Sequence, residues 1–436
     1  MSKNIQKFFF YYFCWSILLC LSGFQIFDIF VNFSFVIIFI STYYLFKEIF
    51  FSNLVHKNSI PIIFRLIMAL LLIIIIINIF RSPPSNIKGF IRFLFGKYYV
   101  GAWYPLLFFY VGSKLKYWSQ ILAFATKNLI FLVMGLPFVL LILINYQNFY
   151  GTLIFLPLLF PILILNRNLF KKQTNNLITL SLAIYLISTF LIGSRGYTFH
   201  VIIYIVLVHY LTILRKNINR TRDLFKLNIL YLVFGLFAYF VYNVGISDKF
   251  NIEINSNLSK FEKSNFENSR KQYVYPDFFA DMNTFEDLIF GRGINGSYYS
   301  FIFEGHMENL VDEDNSLGVK PGYRTEIESG YLFTVLKIGI LGLVLKLILA
   351  FSAVYLGLFK SNNFFVKSCA LIVLEWLVFM YPMGLPSYSM GYVLFWLCIG
   401  ACLSKETRLA KSSFLFSDNY YRIRKINNSF FNISKF

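Results

Sequence analysis

Three motifs of this 436-residue chain contain residues suited to binding anions or moving protons. In the first, Gly193-Ser194-Arg195-Gly196, the Arg195 guanidinium can meet a phosphate on a short turn, with backbone amides nearby. An interfacial Arg195 that reaches lipid headgroups explains the motif equally well. The second, Gly291-Arg292-Gly293-Ile294-Asn295-Gly296, lacks the preceding strand and the following Gly-Lys-Ser of a nucleotide-binding loop. It predicts a tight turn that presents Arg292.

The third motif runs from Arg324 to Tyr331, where a polar segment meets an apolar one. A carboxylate and an arginine at such a position can act as general base and anion clamp, which makes Glu328 and Arg324 candidates. Helix capping competes as an explanation of the acidic residues and is the better one for Glu326. His306, further upstream, is either a base or an ordinary surface histidine.

Two charged residues within the apolar runs of the C-terminal third are candidates for a role inside the membrane: Lys346 and Glu375. Ionisable groups inside a membrane serve as proton relays, ion pairs or substrate contacts. A structural Lys346–Glu375 ion pair is the simpler alternative.

The composition identifies the class of protein that must hold these residues. Hydrophobic residues make up 58% of the chain and charged residues 14%, whereas soluble domains hold about 45–50% and about 25%. A soluble enzyme, a disordered chain and a disulfide-rich secreted module are therefore excluded. The five cysteines lie in apolar runs, so no disulfide framework or zinc site is expected in the long polar loop.

We predict an all-α polytopic membrane protein with about twelve transmembrane helices, since each crossing needs about 20 apolar residues. Four of the predicted runs are Ile60–Phe80, Gly330–Leu358, Phe364–Met380 and Tyr388–Leu403. Four regions follow: an N-terminal block of about nine helices (1–246), a large loop (247–329), a block of about three helices (330–404) and a basic tail (405–436).

The distribution of charge predicts the topology. The net charge is +19 overall, but the loop has 15 acidic and 8 basic residues, so its net charge is −7 and that of the remainder is +26. Because basic residues stay at the cytoplasmic face, both termini are expected inside and the loop outside. The basic charge therefore gives no reason to expect nucleic acid as a partner.

One segment opposes this rule. The connection after the third run should face outward, yet it carries Arg81, Lys88, Arg92 and Lys97. Either the helix count is wrong or Lys88, Arg92 and Lys97 form a basic patch that binds substrate. Within the large loop, the aromatic part from Tyr273 onward is expected to be ordered, with short helices on the membrane.

Taken in order, the Arg195 turn, the loop with Gly291–Gly296 and the sequence Glu328-Ser329-Gly330-Tyr331-Leu332 resemble the bacterial O-antigen and capsule repeat-unit polymerases of the Wzy type. The O-antigen ligases are a more distant resemblance. The resemblance implies a GT-C-like helical fold in the inner membrane and inverting glycosyl transfer without metal or other cofactor. The implied substrates are two undecaprenyl-diphosphate-linked oligosaccharides, and the implied partner is a chain-length regulator protein.

The resemblance also implies roles for residues. Arg195 matches the arginine after the span, and Arg324 or Arg292 matches the loop arginine. Ligases have a histidine just before the following span, where this chain has Glu328, and this difference favours a polymerase. Tyr331 and His306 are expected to contact substrate. A ligase remains the alternative enzyme, and a polysaccharide flippase is the alternative from the transporter class.

Overall fold

A computed structural model describes residues 59–82, 105–122, 160–166, 173–180, 275–300, 322–380 and 390–410, without 106, 326 and 328. It also describes scattered residues between 4 and 48 and residues 203, 206 and 207. Helices account for 81% of the described residues, so this part of the chain is mostly helical.

The described residues include the following helices and a pair of short strands, numbered in chain order. The helices are α1 (Ile62–Arg81), α2 (Phe160–Leu165), α3 (Tyr275–Asp281), α4 (Phe285–Phe290), α5 (Gly330–Phe359), α6 (Phe364–Phe379), α7 (Met390–Leu403) and α8 (Lys405–Leu409). Two strands, β1 (Tyr298–Tyr299) and β2 (Tyr323–Arg324), lie between α4 and α5 and pair antiparallel. Their register places Tyr298 opposite Arg324 and Tyr299 opposite Tyr323.

Two of these helices, α1 and α5, are long and apolar enough to cross a membrane. Only 28% of the apolar window of α1 and 39% of that of α5 is buried in the protein, whereas a helix this apolar in a soluble protein would be mostly covered. Each helix exposes a stripe of large apolar side chains. On α1 they are Ile62, Leu66, Leu70, Ile73, Ile77 and Phe80, and on α5 they are Ile340, Val344, Ile348, Phe351, Tyr355 and Phe359. Such stripes suit contact with lipid and associate the chain with a membrane.

The helix α5 packs against α1, α6 and α7. The buried side of α5 contains small residues, among them Ala350 and Ala353, which are fully covered. Small residues let neighbouring backbones approach closely, as is usual between membrane helices. Most of the buried apolar side chains of the four helices belong to one continuous cluster, the main core.

The bundle has two distinct ends. Lys405 donates its backbone N–H to the Ser59 carbonyl at 3.2 Å, and Asn363 donates to the Thr407 carbonyl at 3.1 Å. The beginnings of α1 and α6 therefore lie together with α8. The end of α1 and the beginning of α5 lie at the other end, which we call the cap end.

The described residues between 275 and 329 form a unit at this end, the cap. Apart from Ile294, which belongs to the main core, its buried apolar side chains form a second cluster, which we call the second core. This core contains Phe278, Met282, Tyr298, Ile327, Val335 and Leu336. The last two belong to α5, so the first turns of that helix are part of the core of the cap. The helix α5 is broken at Gly339, where φ is 71° and ψ is 177°.

Candidate functional site

The centre of the cap is the side chain of Arg292, which follows α4. Its Nε donates to Asp287 Oδ2 at 3.0 Å, and its Nη1 donates to Asp281 Oδ2 and, at 3.0 Å, to the Ser297 carbonyl. Its Nη2 donates to the Asp281 carbonyl. One guanidinium thus joins α3, α4 and the segment that leads into β1, and we call this set of contacts the clamp.

These bonds indicate a structural role for Arg292. Burial lowers the pKa of the guanidinium, but hydrogen bonds and charge interactions with Asp281 and Asp287 outweigh burial and raise the pKa above its ordinary value. Arg292 stays charged, and its donors point to groups of the cap itself. This geometry makes Arg292 a positioning residue that holds the cap together, and its expected contact with substrate stays a prediction.

The turn around Arg292 also fastens the cap to α5. The Arg292 N–H donates to the Leu336 carbonyl at 2.8 Å, and Lys337 Nζ donates to the Gly296 carbonyl at 2.9 Å. Gly291, with φ 78°, lies against the break in α5, because a Cβ built on it would be 2.6 Å from the Gly339 nitrogen. A Cβ on Gly339 would be 2.1 Å from the Ile289 carbonyl oxygen. Only glycine tolerates this backbone-to-backbone contact.

A second set of contacts fastens the cap to the end of α1. Ile294 donates its N–H to the Asn78 carbonyl at 3.1 Å, and Asn295 donates to the side chain and the carbonyl of Ser82 at 2.9 and 3.0 Å. Arg81 forms an ion pair with Glu286 of α4 at 3.0 Å. One of the four basic residues that oppose the positive-inside rule is thus matched by an acidic residue of the cap.

The strand pair carries the part of the cap that is best suited to bind a ligand. Arg324 on β2 is partly buried and lies opposite the fully buried Tyr298. On the other face of the pair, the rings of Tyr299 and Tyr323 are 5.6 Å apart, and both residues are partly exposed. Aromatic rings stack on sugars, and an arginine binds phosphate. The clamp also positions the strand that carries Tyr299, because Asp281 Oδ2 accepts the Tyr299 N–H at 3.0 Å.

Tyr331 joins α5 to the end of α6, and its expected contact with substrate stays a prediction. Its hydroxyl donates to the Leu377 carbonyl, and its N–H donates to the Met380 carbonyl at 3.3 Å. Both contacts fix the start of α5 next to the end of α6. The described geometry therefore gives Tyr331 a structural part in holding the cap end together.

The intramembrane candidates Glu375 and Lys346 are both buried, with 3% and 9% of their surface exposed. Lys346 Nζ lies 5.8 Å from the centroid of the Tyr392 ring and 5.9 Å from that of Phe395, both on α7. These distances are typical of cation–π contacts. The contacts of Lys346 are thus with α7, while Glu375 belongs to α6.

Several predicted site residues lie outside the described residues: Arg195, Glu328, His306, Lys88, Arg92 and Lys97. Their roles stay predictions. Within the part of the chain that the structure describes, no group of three or more His, Cys, Asp or Glu side chains is placed to hold a metal ion.

Sequence reasoning missed Asp281, Asp287 and Lys337, which complete the clamp and its attachment. Asp281 and Asp287 precede Arg292 by eleven and five residues, which is not the i, i+3 or i, i+4 spacing of a helix. The one indication in the sequence was the acidic character of a loop that contains a single arginine between Lys271 and Lys320.

The function is therefore inferred from the motifs and from the geometry of the cap. No family model, no curated protein and no solved structure matches this chain.

Proposed function

We propose that this chain is a membrane glycosyltransferase that polymerises undecaprenyl-diphosphate-linked oligosaccharide repeat units into O-antigen or capsular polysaccharide. The proposal includes about twelve transmembrane helices in a GT-C-like arrangement in the bacterial inner membrane. Both termini are cytoplasmic in this proposal, and the cap faces the outside. The partners are the two lipid-linked oligosaccharides and a chain-length regulator protein.

The observation that carries the proposal is the position of the strand pair in a cap that is fastened to the ends of α1 and α5. The pair has Arg324 on one face and the rings of Tyr299 and Tyr323 on the other. A substrate with a lipid tail presents its diphosphate at the level of the headgroups and its sugars just above them. A cap fastened to the ends of membrane-spanning helices would hold Arg324 and the ring pair of Tyr299 and Tyr323 near that level. A soluble sugar substrate would give no reason for this location.

The reaction follows from the chemistry of these groups. The bond between the anomeric carbon of the donor and its diphosphate breaks as an acceptor hydroxyl attacks from the opposite side. The hydroxyl proton passes to a base, for which Glu328 is the candidate. Arg195 and Arg324 are the candidates to stabilise the departing diphosphate, which carries the negative charge away. The residues Lys88, Arg92 and Lys97 would hold the diphosphate of one substrate.

A deletion strain of the source bacterium tests the proposal. Loss of a polymerase leaves lipid-linked single repeat units at the outer face. Loss of a ligase leaves long unligated chains, and loss of a flippase leaves no repeat units outside. Complementation with the wild-type gene should restore the polymer. Either of the other two phenotypes would contradict a polymerase and identify the alternative.

Cysteine labelling tests the proposed topology. We expect Ser264→Cys to react with a membrane-impermeant maleimide from outside the cell, and Ser412→Cys to react only after the membrane is opened. Each variant serves as the control for the other. Labelling of Ser264→Cys solely from the cytoplasmic side would contradict the proposed function, because the substrates would then lie on the wrong face.

A further inference from the structure

The lengths of two helices fix the level at which the cap meets the membrane. The helix α1 has 20 residues, which span about 30 Å at about 1.5 Å per residue, and the hydrocarbon core of a bilayer is about 30 Å thick. Its first and last residues, Ile62 and Arg81, therefore lie at the two boundaries of the hydrocarbon. Glu286 of α4, paired with Arg81 at 3.0 Å, lies at the same level as Arg81.

The helix α5 provides an independent measure of the same level. Its break at Gly339 leaves a continuous segment from Ile340 to Phe359. This segment is as long as α1 and likewise matches the hydrocarbon thickness. Gly339 then lies at the boundary on the cap side, and Gly291, which is in contact with it, lies there too.

The opposite ends of the two helices agree with this placement. Ser59, just before α1, accepts a hydrogen bond from Lys405, and Asn362, just after α5, donates to the Arg408 carbonyl at 3.3 Å. The start of α1 and the end of α5 thus both lie beside one short stretch of chain, α8 and its flanking residues. Two helices of equal length and similar inclination that meet at the same place on one side reach the same level on the other.

The helix α4 contacts the end of α1 near its own first residue and the break in α5 just after its last residue. Glu286, its second residue, is joined to Arg81, and the residue after α4 is Gly291, which touches Gly339. Its axis therefore lies along the boundary plane. It exposes two aromatic side chains there: Phe285 is 79% exposed and Phe290 is 40% exposed.

The neighbouring helices also expose large apolar side chains next to the residues that fix this level. Phe80, which precedes Arg81, is 76% exposed, and Ile340, which follows Gly339, is 40% exposed. Aromatic rings concentrate at the boundary between hydrocarbon and headgroups, and a charged pair such as Arg81–Glu286 is also at home at that level.

We propose that α4 lies in the membrane–water interface and that Phe285 and Phe290 enter the lipid, so that the bilayer surface is a binding partner of the cap. The helix places its other face, with Leu288, against the second core. This proposal depends on α1 and α5 crossing the membrane and not on the identity of any substrate. It therefore stands or falls separately from the proposed glycosyl transfer.

Spin labels on the full-length protein test this placement. Phe285→Cys and Phe290→Cys are made in a background without the five native cysteines, labelled with a nitroxide and placed in nanodiscs of phosphatidylethanolamine and phosphatidylglycerol. Collisions with oxygen report lipid, and collisions with a water-soluble nickel chelate report water. Ile73→Cys, in the middle of the exposed stripe of α1, is the hydrocarbon reference, and Lys405→Cys is the aqueous reference.

We expect the oxygen-to-nickel collision ratio at both positions of α4 to lie between those of the two references. A ratio equal to that of Lys405→Cys would overturn the proposal, because α4 would then stand in water. Low accessibility to both reagents would also overturn it, because another protein surface or a second copy of the chain would then cover the rings. A ratio equal to that of Ile73→Cys would overturn the interfacial level.

A second measurement removes the dependence on the cysteine-free background. Phe285→Trp in the otherwise unchanged chain adds one indole, and its contribution is the difference in fluorescence from the wild type. We expect dibrominated lipids to quench this added emission. Ile73→Trp is the positive control. An added emission that brominated lipids leave unchanged, while Ile73→Trp is quenched, would overturn the proposal.

Discussion

Replacement of Arg292 by lysine separates its two possible roles. Lysine keeps the positive charge but has a single ammonium group. That group can retain one of the two carboxylate partners, but it cannot bridge α3 and α4 or reach the carbonyls in the same way. The clamp therefore loses at least one charged hydrogen bond. Such a bond contributes about 1.5–3 kcal/mol. Because the three side chains are 20–22% exposed, the lower end of that range applies.

A loss of about 1.5 kcal/mol corresponds to about a tenfold change in an equilibrium constant. We therefore expect backbone amides of residues 291–300 in Arg292→Lys to exchange with deuterium about tenfold faster than in the wild type, since local opening governs their exchange. Peptides from α6 should not change. Arg81→Lys is the matched control, because its partner Glu286 is 73% exposed and exposed pairs contribute about 0–1 kcal/mol.

Unchanged exchange in Arg292→Lys, combined with a fall in polymer formation per molecule, would refute the positioning role. It would show that the guanidinium meets the substrate, as the sequence alone predicts. Faster exchange in the same region of Arg81→Lys by an equal factor would also refute the argument, because the effect would then not depend on the two carboxylates of the clamp.

Three further predictions concern other positions. Gly339→Ala should lower the stability of the protein by about 1–3 kcal/mol, because essentially only glycine adopts the backbone conformation at this position. The cap should then become sensitive to protease while α6 stays protected, and a cap as resistant as in the wild type would contradict the close contact with Ile289. Arg195→Ala should lower polymer formation per molecule by about 10²–10³ and Arg195→Lys by less, whereas full activity of both variants would leave Arg195 as a lipid anchor. Combined glutamine substitution of Lys88, Arg92 and Lys97 should weaken binding of lipid-linked substrate at unchanged protein level, and a wild-type amount and length of polymer would contradict a substrate-binding patch.

The apolar runs predict the described helices well. The run Ile60–Phe80 is the helix Ile62–Arg81, and the run Phe364–Met380 is the helix Phe364–Phe379. Hydrophobicity is the physical cause of both the pattern and the burial, so the pattern locates the helix. Short helices are also present in the aromatic part of the large loop, as expected.

The apolar pattern does not predict the break that divides α5 at Gly339. The run from Gly330 is predominantly apolar on both sides of Gly339, because its first turns pack on the cap and its later turns pack on other helices. Both environments select the same residue types. The break depends on a backbone contact with Gly291, some fifty residues earlier, and no local periodicity encodes such a contact.

The clamp is missed for a related reason. Arg292 stands between glycines, which is how a ligand-binding arginine also looks, and its real partners lie at irregular distances in the chain. Charge counting showed that the loop is acidic, but it does not tell which carboxylates face the arginine. Which groups a guanidinium binds depends on tertiary structure.

The sharing of α5 between the two cores has a consequence for biogenesis. Phe278, Met282 and Tyr298 leave the ribosome before Val335 and Leu336, with which they share a core. The nascent cap therefore cannot complete its apolar packing until the first turns of α5, which follow it in the chain, have been synthesised. Maturation of the cap thus waits for α5, and a chain that stops before residue 330 leaves the apolar surface of the cap open.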